Sequence, residues 1–385
     1  MPADSPLAVR IRRQLADLRT RGLSRAMRPP AGIDLSSNDY LKLSSDARVR
    51  AGFVAGVARD GCGSTGSRLL RGDRQAFVDV EARFARFKGT DRALFFSSGF
   101  LANLAVLAGL AEEGDVIFSD ARNHASLIDG ARLSRAQVVV VPHSDPRQLA
   151  DLMRRTPCDG IRFVVVESLY SMDGDTAPLV EYASQCAEAG ATFVIDEAHA
   201  VGVCGSRGTG LIETAGLDPN ACLSINTGGK ALGVGGAFVA GSTETIEYLM
   251  QCARTFVFST AAPPAMAAAL QASLDIVEGE PEHRLRLRDR ARFLRRRLRA
   301  AGIDVADSDS HIVPMLIGDN DRAVAIAAAI QAEGFDVRAI RPPSVPAGTA
   351  RLRVSVNAGL SEETLARFVD VAVAALAVPP ALVRA

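Results

Sequence analysis

The chain has 385 residues, 48% of them apolar, which is enough to bury a sizeable core and, on length, to form one large domain plus a smaller one. Its 44 basic residues balance 44 acidic ones, which excludes a global positive field for holding a nucleic-acid backbone and leaves small molecules as the expected partners. The six cysteines, Cys62, Cys158, Cys186, Cys204, Cys222 and Cys252, form no CxxC pair and no zinc-type set with histidine, so reduced thiols and no metal are expected.

At the N-terminus, Met1 to Arg13 lacks the apolar centre of a secretory signal, and no run of about 18 apolar residues follows anywhere. A cytoplasmic location and no membrane contact are the expectation. Residues 1–45 read as an Arg-rich helical arm closed by Pro29-Pro30 and Asp34 to Tyr40. In the stretch 46–280, apolar runs alternate with helical segments from about Ala93 to Gly241, as in an α/β sheet. Strands are predicted at Ala93, Val116, Val138, Arg162, Thr192, Leu223 and Ala237, without polar alternation, as for strands covered on both faces. Helices are predicted between them, for instance from Asn103 to Ala111 and from Leu179 to Ala189.

Gly279-Glu-Pro-Glu-His breaks the pattern, so a smaller α+β domain is placed at 281–385. It opens on an Arg-rich helix from Leu285 to Ala300, whose acidic neighbours Glu280, Glu282 and Asp289 favour a solvated face over a nucleic-acid surface. Strands are predicted at Ile312 to Ile317, Val337 to Ile340 and Leu352 to Val356, and helices from Asp321 to Gly334 and from Ser361 to Leu376.

Only three of the basic residues are lysines, Lys42, Lys88 and Lys230. Arginine does the solvating and salt bridging here, whereas only lysine can lose its proton and serve as an amine nucleophile. Lys42 and Lys88 read as surface residues. Lys230 sits in Asn226-Thr-Gly-Gly-Lys-Ala-Leu-Gly-Val-Gly-Gly236, among small residues that let a planar ligand approach the backbone. Asp196-Glu-Ala-His199 follows an apolar run, at the strand end where α/β sheets bind ligands; a capping Asp and a packed His would give the same pattern. Ser97-Ser-Gly-Phe-Leu-Ala-Asn103 leads a strand into a helix and offers free N–H groups to a phosphate, although a plain turn reads alike. Phosphate cup, strand-end acid and amine together suit an aldehyde cofactor, pyridoxal phosphate, whose ring nitrogen is kept protonated by a carboxylate such as Asp196. His199 could bond the ring hydroxyl, and His124, in Asn123-His-Ala-Ser-Leu-Ile128, could stack on the ring.

These segments, with Ser37 to Leu41, Gly66 to Leu69, Ser171-Met-Asp-Gly-Asp175 and Arg341-Pro-Pro-Ser-Val-Pro-Ala-Gly-Thr349, resemble the α-oxoamine synthases of the aspartate-aminotransferase-like fold. The likeness runs from Gly22-Leu-Ser-Arg25 through nearly the whole chain, and is nearest to the biotin-pathway branch. It implies fold type I of the pyridoxal-phosphate enzymes, with a large mostly parallel-sheet domain and a smaller α+β C-terminal domain. It implies a homodimer with shared sites that condenses L-alanine with a pimeloyl thioester, on coenzyme A or acyl carrier protein, to 8-amino-7-oxononanoate with loss of carbon dioxide. By matching position, Lys230 would carry the cofactor as a Schiff base, Asp196 would face the ring nitrogen and His124 would stack. Ser171 and His199 would serve its polar edge. Gly99, Phe100 and Thr227 would hold the phosphate, which Ser259 or Thr260 of a second copy would also reach. Arg25, Arg341 and Ser344 would bind substrate.

Three positions depart from the family pattern: Gly228 where a bulky residue is usual, which would loosen the turn, Phe77 where His is common, and Lys42 where Gly is common. The relatives 2-amino-3-ketobutyrate ligase, 5-aminolevulinate synthase and serine palmitoyltransferase are alternatives, as is a non-catalytic binding or regulatory protein on this fold. A nucleotide-binding dehydrogenase fits less well, since Gly61-Cys-Gly-Ser-Thr-Gly66 does not follow a strand.

Overall fold

The computed structural model describes residues 5–377; residues 1–4 and 378–385, the outer ends of the expected arm and small domain, lie outside the described residues. The arm opens with helix α1 (Pro6–Thr20), started by Ser5, whose hydroxyl accepts from the Ala8 N–H, and by proline in the first turn. Helix α2 (Gln75–Lys88) buries Phe77, Val80, Phe84 and Phe87 on one face and ends at Gly89 in the left-handed conformation.

The principal sheet has seven strands: β1 (Arg92–Phe96), β2 (Val116–Asp120), β3 (Gln137–Val141), β4 (Arg162–Glu167), β5 (Thr192–Asp196), β6 (Cys222–Thr227) and β7 (Ala237–Gly241). Their spatial order is β1-β7-β6-β5-β4-β2-β3, parallel except for β7, which is antiparallel to both neighbours. The central strands are buried along nearly their whole length, and apolar in their middles apart from Ser224 and Asn226 of β6, because helices pack on both faces. On one face the Phe84 ring of α2 stacks 4.0 Å from that of Phe238. Strand β3 departs from the expected double cover. It lies at the sheet edge, where Val138 and Val140 are 40% and 63% exposed.

Helix α3 (Gly99–Leu110) follows β1, helix α4 (Ala125–Leu133) follows β2, and helix α5 (Glu282–Ala300) opens the C-terminal region. There β8 (Ile312–Gly318), β9 (Ala339–Ile340) and β10 (Ala350–Ser355) form an antiparallel sheet in the order β9-β10-β8. The strand expected from Val337 to Ile340 is divided, because the chain serves two partners. Phe335–Asp336 pairs in parallel with Ile33–Asp34 of the arm, and Ala339–Ile340 pairs with β10.

Two expectations fail on packing grounds. Lys88 is no surface residue: its side chain is 1% exposed, and Nζ lies 2.5 Å from Glu197 Oε2 and 2.6 Å from the Thr209 carbonyl. Gly228 does not loosen its turn, since a Cβ there would lie 2.3 Å from the Gly235 carbonyl oxygen and 2.9 Å from Leu270. Lys42 adopts φ 60, the left-handed region that favours glycine, and its amine reaches Asp34 at 3.4 Å. Phe77 is fully buried, with its ring 5.8 Å from Phe95 and beneath the Arg68 guanidinium at 4.7 Å.

Candidate active site

The C-terminal ends of β4, β5 and β6 deliver Glu167, Asp196 and Thr227 to the rim of one cavity of about 310 Å³. Ser98, Gly99, Phe100 and Asn103 from the start of α3 line it as well, together with His124 and Ser126 at the start of α4, and Lys230 from the turn after β6. Ser98 caps α3 by accepting from the Leu101 N–H at 3.3 Å. The Gly99 and Phe100 amides precede the first intrahelical bond and so remain donors at the positive end of the helix. A Cβ on Gly99 would lie 2.6 Å from Thr227 Cγ2, so only glycine lets this turn approach β6.

A short hydrogen-bond network fixes the acid and the imidazole. Asn103 Nδ2 donates to Asp196 Oδ2 and to Ser126 Oγ, each at 2.8 Å, and the Ala198 N–H donates to Asp196 Oδ1 at 2.8 Å. Ser126 Oγ lies 2.7 Å from His124 Nδ1, which also accepts from the Ser126 N–H at 3.2 Å. Nδ1 is therefore the acceptor and Nε2 carries the ring proton. Burial, and after it the charge of Lys230, outweigh Asp196 and hold His124 below its ordinary pKa.

Lys230 Nζ donates to His199 Nε2 at 2.8 Å, and His199 Nδ1 lies 2.7 Å from the Tyr40 hydroxyl. Tyr40 in turn donates to Asn38 Oδ1 at 2.9 Å and accepts from Arg353 Nη2 at 3.2 Å. Each proton in this chain has one acceptor when His199 is neutral with its proton on Nδ1. Burial, with Lys230 and Arg353, indeed holds His199 well below 6.5. Burial also lowers Lys230 to about 8, against the raising influence of Asp196 and Glu167.

Of the residues named from sequence, Gly99, Phe100, His124, Asp196, Thr227 and Lys230 line the cavity, and His199 stands directly behind the amine. Ser171 is buried beside it, with its N–H 3.2 Å from Glu167 Oε2 and its carbonyl 2.5 Å from Arg353 Nε. Ser259 and Thr260 lie apart, on a small pocket with Arg68 and Phe256. Arg25, Arg341 and Ser344 also lie off the cavity wall. There Arg341 donates to the arm carbonyls of Gly22 and Ser24, and Arg25 to the Pro342 carbonyl at 3.4 Å.

Sequence reasoning missed Asn38, Asn103, Ser126 and Glu167, all cavity-lining. Glu167 carried a usable signal, an acid closing the apolar run from Arg162, as Asp196 closes its own. Buried and next to Asp196, it is raised to about 8, burial being the larger cause. Its Oε1 has no hydrogen-bond partner among the described residues.

A lone amine, a bonded carboxylate opposite it, an imidazole on the wall and a helix N-terminus fit pyridoxal phosphate in both size and donor set. The free Gly99 and Phe100 N–H groups at a helix N-terminus beside Thr227 suit a phosphate.

The sequence profile described as "Aminotransferase class I and II" matches residues 30–371. The chain is 43% identical over 382 residues to the 8-amino-7-oxononanoate synthase of Anaeromyxobacter dehalogenans, covering 96% of each. It is 43% identical over 380 residues to that of Burkholderia cenocepacia, covering 93% of each. Among solved structures it is similar to serine palmitoyltransferase of S. paucimobilis with bound PLP, with a TM-score of 0.88, 30% identity and 96% of both chains covered. It is also similar to 8-amino-7-oxononanoate synthase of Francisella tularensis, with a TM-score of 0.78, 29% identity, and 90% of this chain and 98% of that one covered.

Proposed function

The chain belongs to the class I and II aminotransferase family, in its α-oxoamine synthase branch, and from that premise we propose that it condenses L-alanine with a pimeloyl thioester to 8-amino-7-oxononanoate for biotin synthesis. It is a pyridoxal-phosphate-dependent acyltransferase. The observation that carries the reading is the Lys230 amine, half-buried, lowered to about 8 and sharing one cavity with Asp196 and His124. Bound pyridoxal phosphate supplies the electron sink for the carbanion formed at the amino-acid α-carbon.

Lys230 would hold the cofactor aldehyde and, with its amine free, would serve as general base for the alanine α-proton, for which a pKa near working pH is suited. Asn103 and the Ala198 N–H fix both oxygens of Asp196, whose carboxylate would face the ring nitrogen. His124, its tautomer set by Ser126, would cover a ring face. Gly99, Phe100 and Thr227 would hold the phosphate, and His199 and Ser171 would attend the ring's polar edge. Arg25, Arg341 and Ser344 bind substrate, the planar guanidiniums of the two arginines being suited to paired charge-assisted bonds with a carboxylate.

The protein acts in the cytoplasm as a homodimer, with Ser259 and Thr260 of one copy reaching the phosphate of the other. No described helix is long and apolar enough to cross a membrane. The chain divides into an arm at 1–45, a cofactor-binding domain at 46–280 and a small domain at 281–385. A serine-using reaction is the second reading, favoured by the TM-score of 0.88 to serine palmitoyltransferase. Offering L-alanine, glycine and L-serine in turn with pimeloyl-CoA and with pimeloyl-acyl carrier protein, and weighing the products by mass spectrometry, separates the two. The proposal expects 8-amino-7-oxononanoate from alanine, and product from glycine or serine alone would overturn it.

A further inference from the structure

A second cavity, of about 770 Å³, lies between helix α5 and the loop after β5, and shares no lining residue with the first. Its size suits a ligand of drug-like dimensions, and such pockets combine apolar walls with a few convergent polar groups. Here the walls are Leu169, Val203, Leu211, Leu285, Leu287 and Ala291.

The polar groups are mostly cationic, and their charges meet no carboxylate at hydrogen-bond distance. Arg284 donates to the carbonyls of Val277 and Ser206, and Arg295 to the carbonyl of Ser310. Arg288, exposed at the mouth, has no hydrogen-bond or ion-pair partner among the described residues. Two acids share the cavity. Glu213 spends its oxygens on Ser206, the Arg207 N–H and Thr209, while Asp309 is exposed. Glu213 and Glu282 act on Arg284, and Asp309 on Arg295, only through space, so no guanidinium here is closed off by a direct carboxylate bond and each can still receive an anion.

The independent observation is His311. It is 3% exposed and lines this cavity, and its Nε2 has no hydrogen-bond partner among the described residues. Its ring packs edge-on against Tyr40, 4.0 Å between centroids. Burial, with Arg353 and Arg295, lowers it to about 3, so it is neutral and has a hydrogen bond to offer without a charge of its own. A buried polar nitrogen without a partner is costly unless something completes it.

We propose that this cavity binds a small carboxylate with an unbranched apolar chain, its carboxylate received by Arg295 and His311 and its chain laid along the leucine wall. Arg288 at the mouth draws the anion in. The rings of His311, Tyr40 and His199 form the wall between this cavity and Lys230. Binding therefore does not compete with the cofactor.

Isothermal titration calorimetry with octanoate, on the full chain loaded with pyridoxal phosphate, tests this. Saturable one-site binding is expected, with the visible absorption of the bound cofactor retained at saturation, and with octylammonium, the charge-reversed analogue, failing to bind. Arg288→Glu, on the exposed face of α5, should weaken octanoate about tenfold or more while leaving the basal activity unchanged. His311→Phe, which keeps the ring against Tyr40 and removes Nε2, should weaken it as well. Absence of saturable binding, equal binding of octylammonium, release of the cofactor, or unchanged affinity in both variants would each overturn the proposal.

Discussion

Glu167 and Asp196 close neighbouring parallel strands in register, so two carboxyl groups stand side by side at the edge of the catalytic cavity. Two such groups this close do not both ionise readily. Asp196 has both oxygens bonded by N–H donors, whereas one oxygen of Glu167 has no partner among the described residues. The proton therefore stays on Glu167.

Glu167 is raised from 4.5 to about 8, so between those values the unfolded chain binds fewer protons than the folded one. The stability tied to this proton is full below the unfolded value and is lost as pH rises toward the folded one. Glu167→Gln lacks that slope. In chemical unfolding, the variant's stability relative to wild type should rise between about pH 5 and about pH 7.5. A constant difference across that window would contradict the assignment.

His143 bridges two loops, with Nδ1 2.9 Å from Asp120 and Nε2 2.8 Å from Asp175. Burial alone would lower its pKa, but the two carboxylates prevail and hold it at about 9. Because the folded value exceeds the ordinary 6.5, its stabilisation is full below about 6.5 and is lost as pH rises through about 9. His143→Gln should cost about 2 kcal/mol at mildly acidic pH and much less above about pH 9.5, measured by urea unfolding.

Lys88 and Glu197 form a buried pair whose side chains are 1% and 0% exposed. Removing one partner leaves the other charge buried, so Lys88→Met should destabilise by about 3–5 kcal/mol. Glu197 also accepts from the Leu211 and Ile212 N–H groups, 2.5 and 3.1 Å away, so the loop carrying them should loosen and exchange its amide hydrogens faster. Unchanged stability and exchange would contradict a structural clamp.

Local pattern sufficed for the strands that end in Glu167 and Asp196, because short continuous apolar runs closed by an acid have few other uses. It also singled out Lys230, from the near absence of other lysines. What escaped depends on pairing between distant segments. Lys88 reads like its neighbours on α2 until Glu197, 109 residues later, is packed against it. Asn103 looks like an ordinary helical residue, yet it links Asp196 to Ser126 across two strand–helix units. The division of the Val337 to Ile340 segment follows from the arm pairing with Phe335–Asp336, a partner some 300 residues away. Strand β3 reads as buried because composition does not reveal which strand ends the sheet.

Among the described residues, the Lys230 nitrogen is the one amine in the cavity able to hold the cofactor. Reducing the loaded protein with borohydride and mapping the modified peptide by mass spectrometry should place the pyridoxyl label on Lys230 alone. When unloaded protein is mixed with pyridoxal phosphate and trapped at early times, labelling should increase as pH rises through about 8, where the free Lys230 amine loses its proton. Label on Lys42 or Lys88 in place of Lys230, or a Lys230→Ala protein that is labelled like wild type, would contradict it.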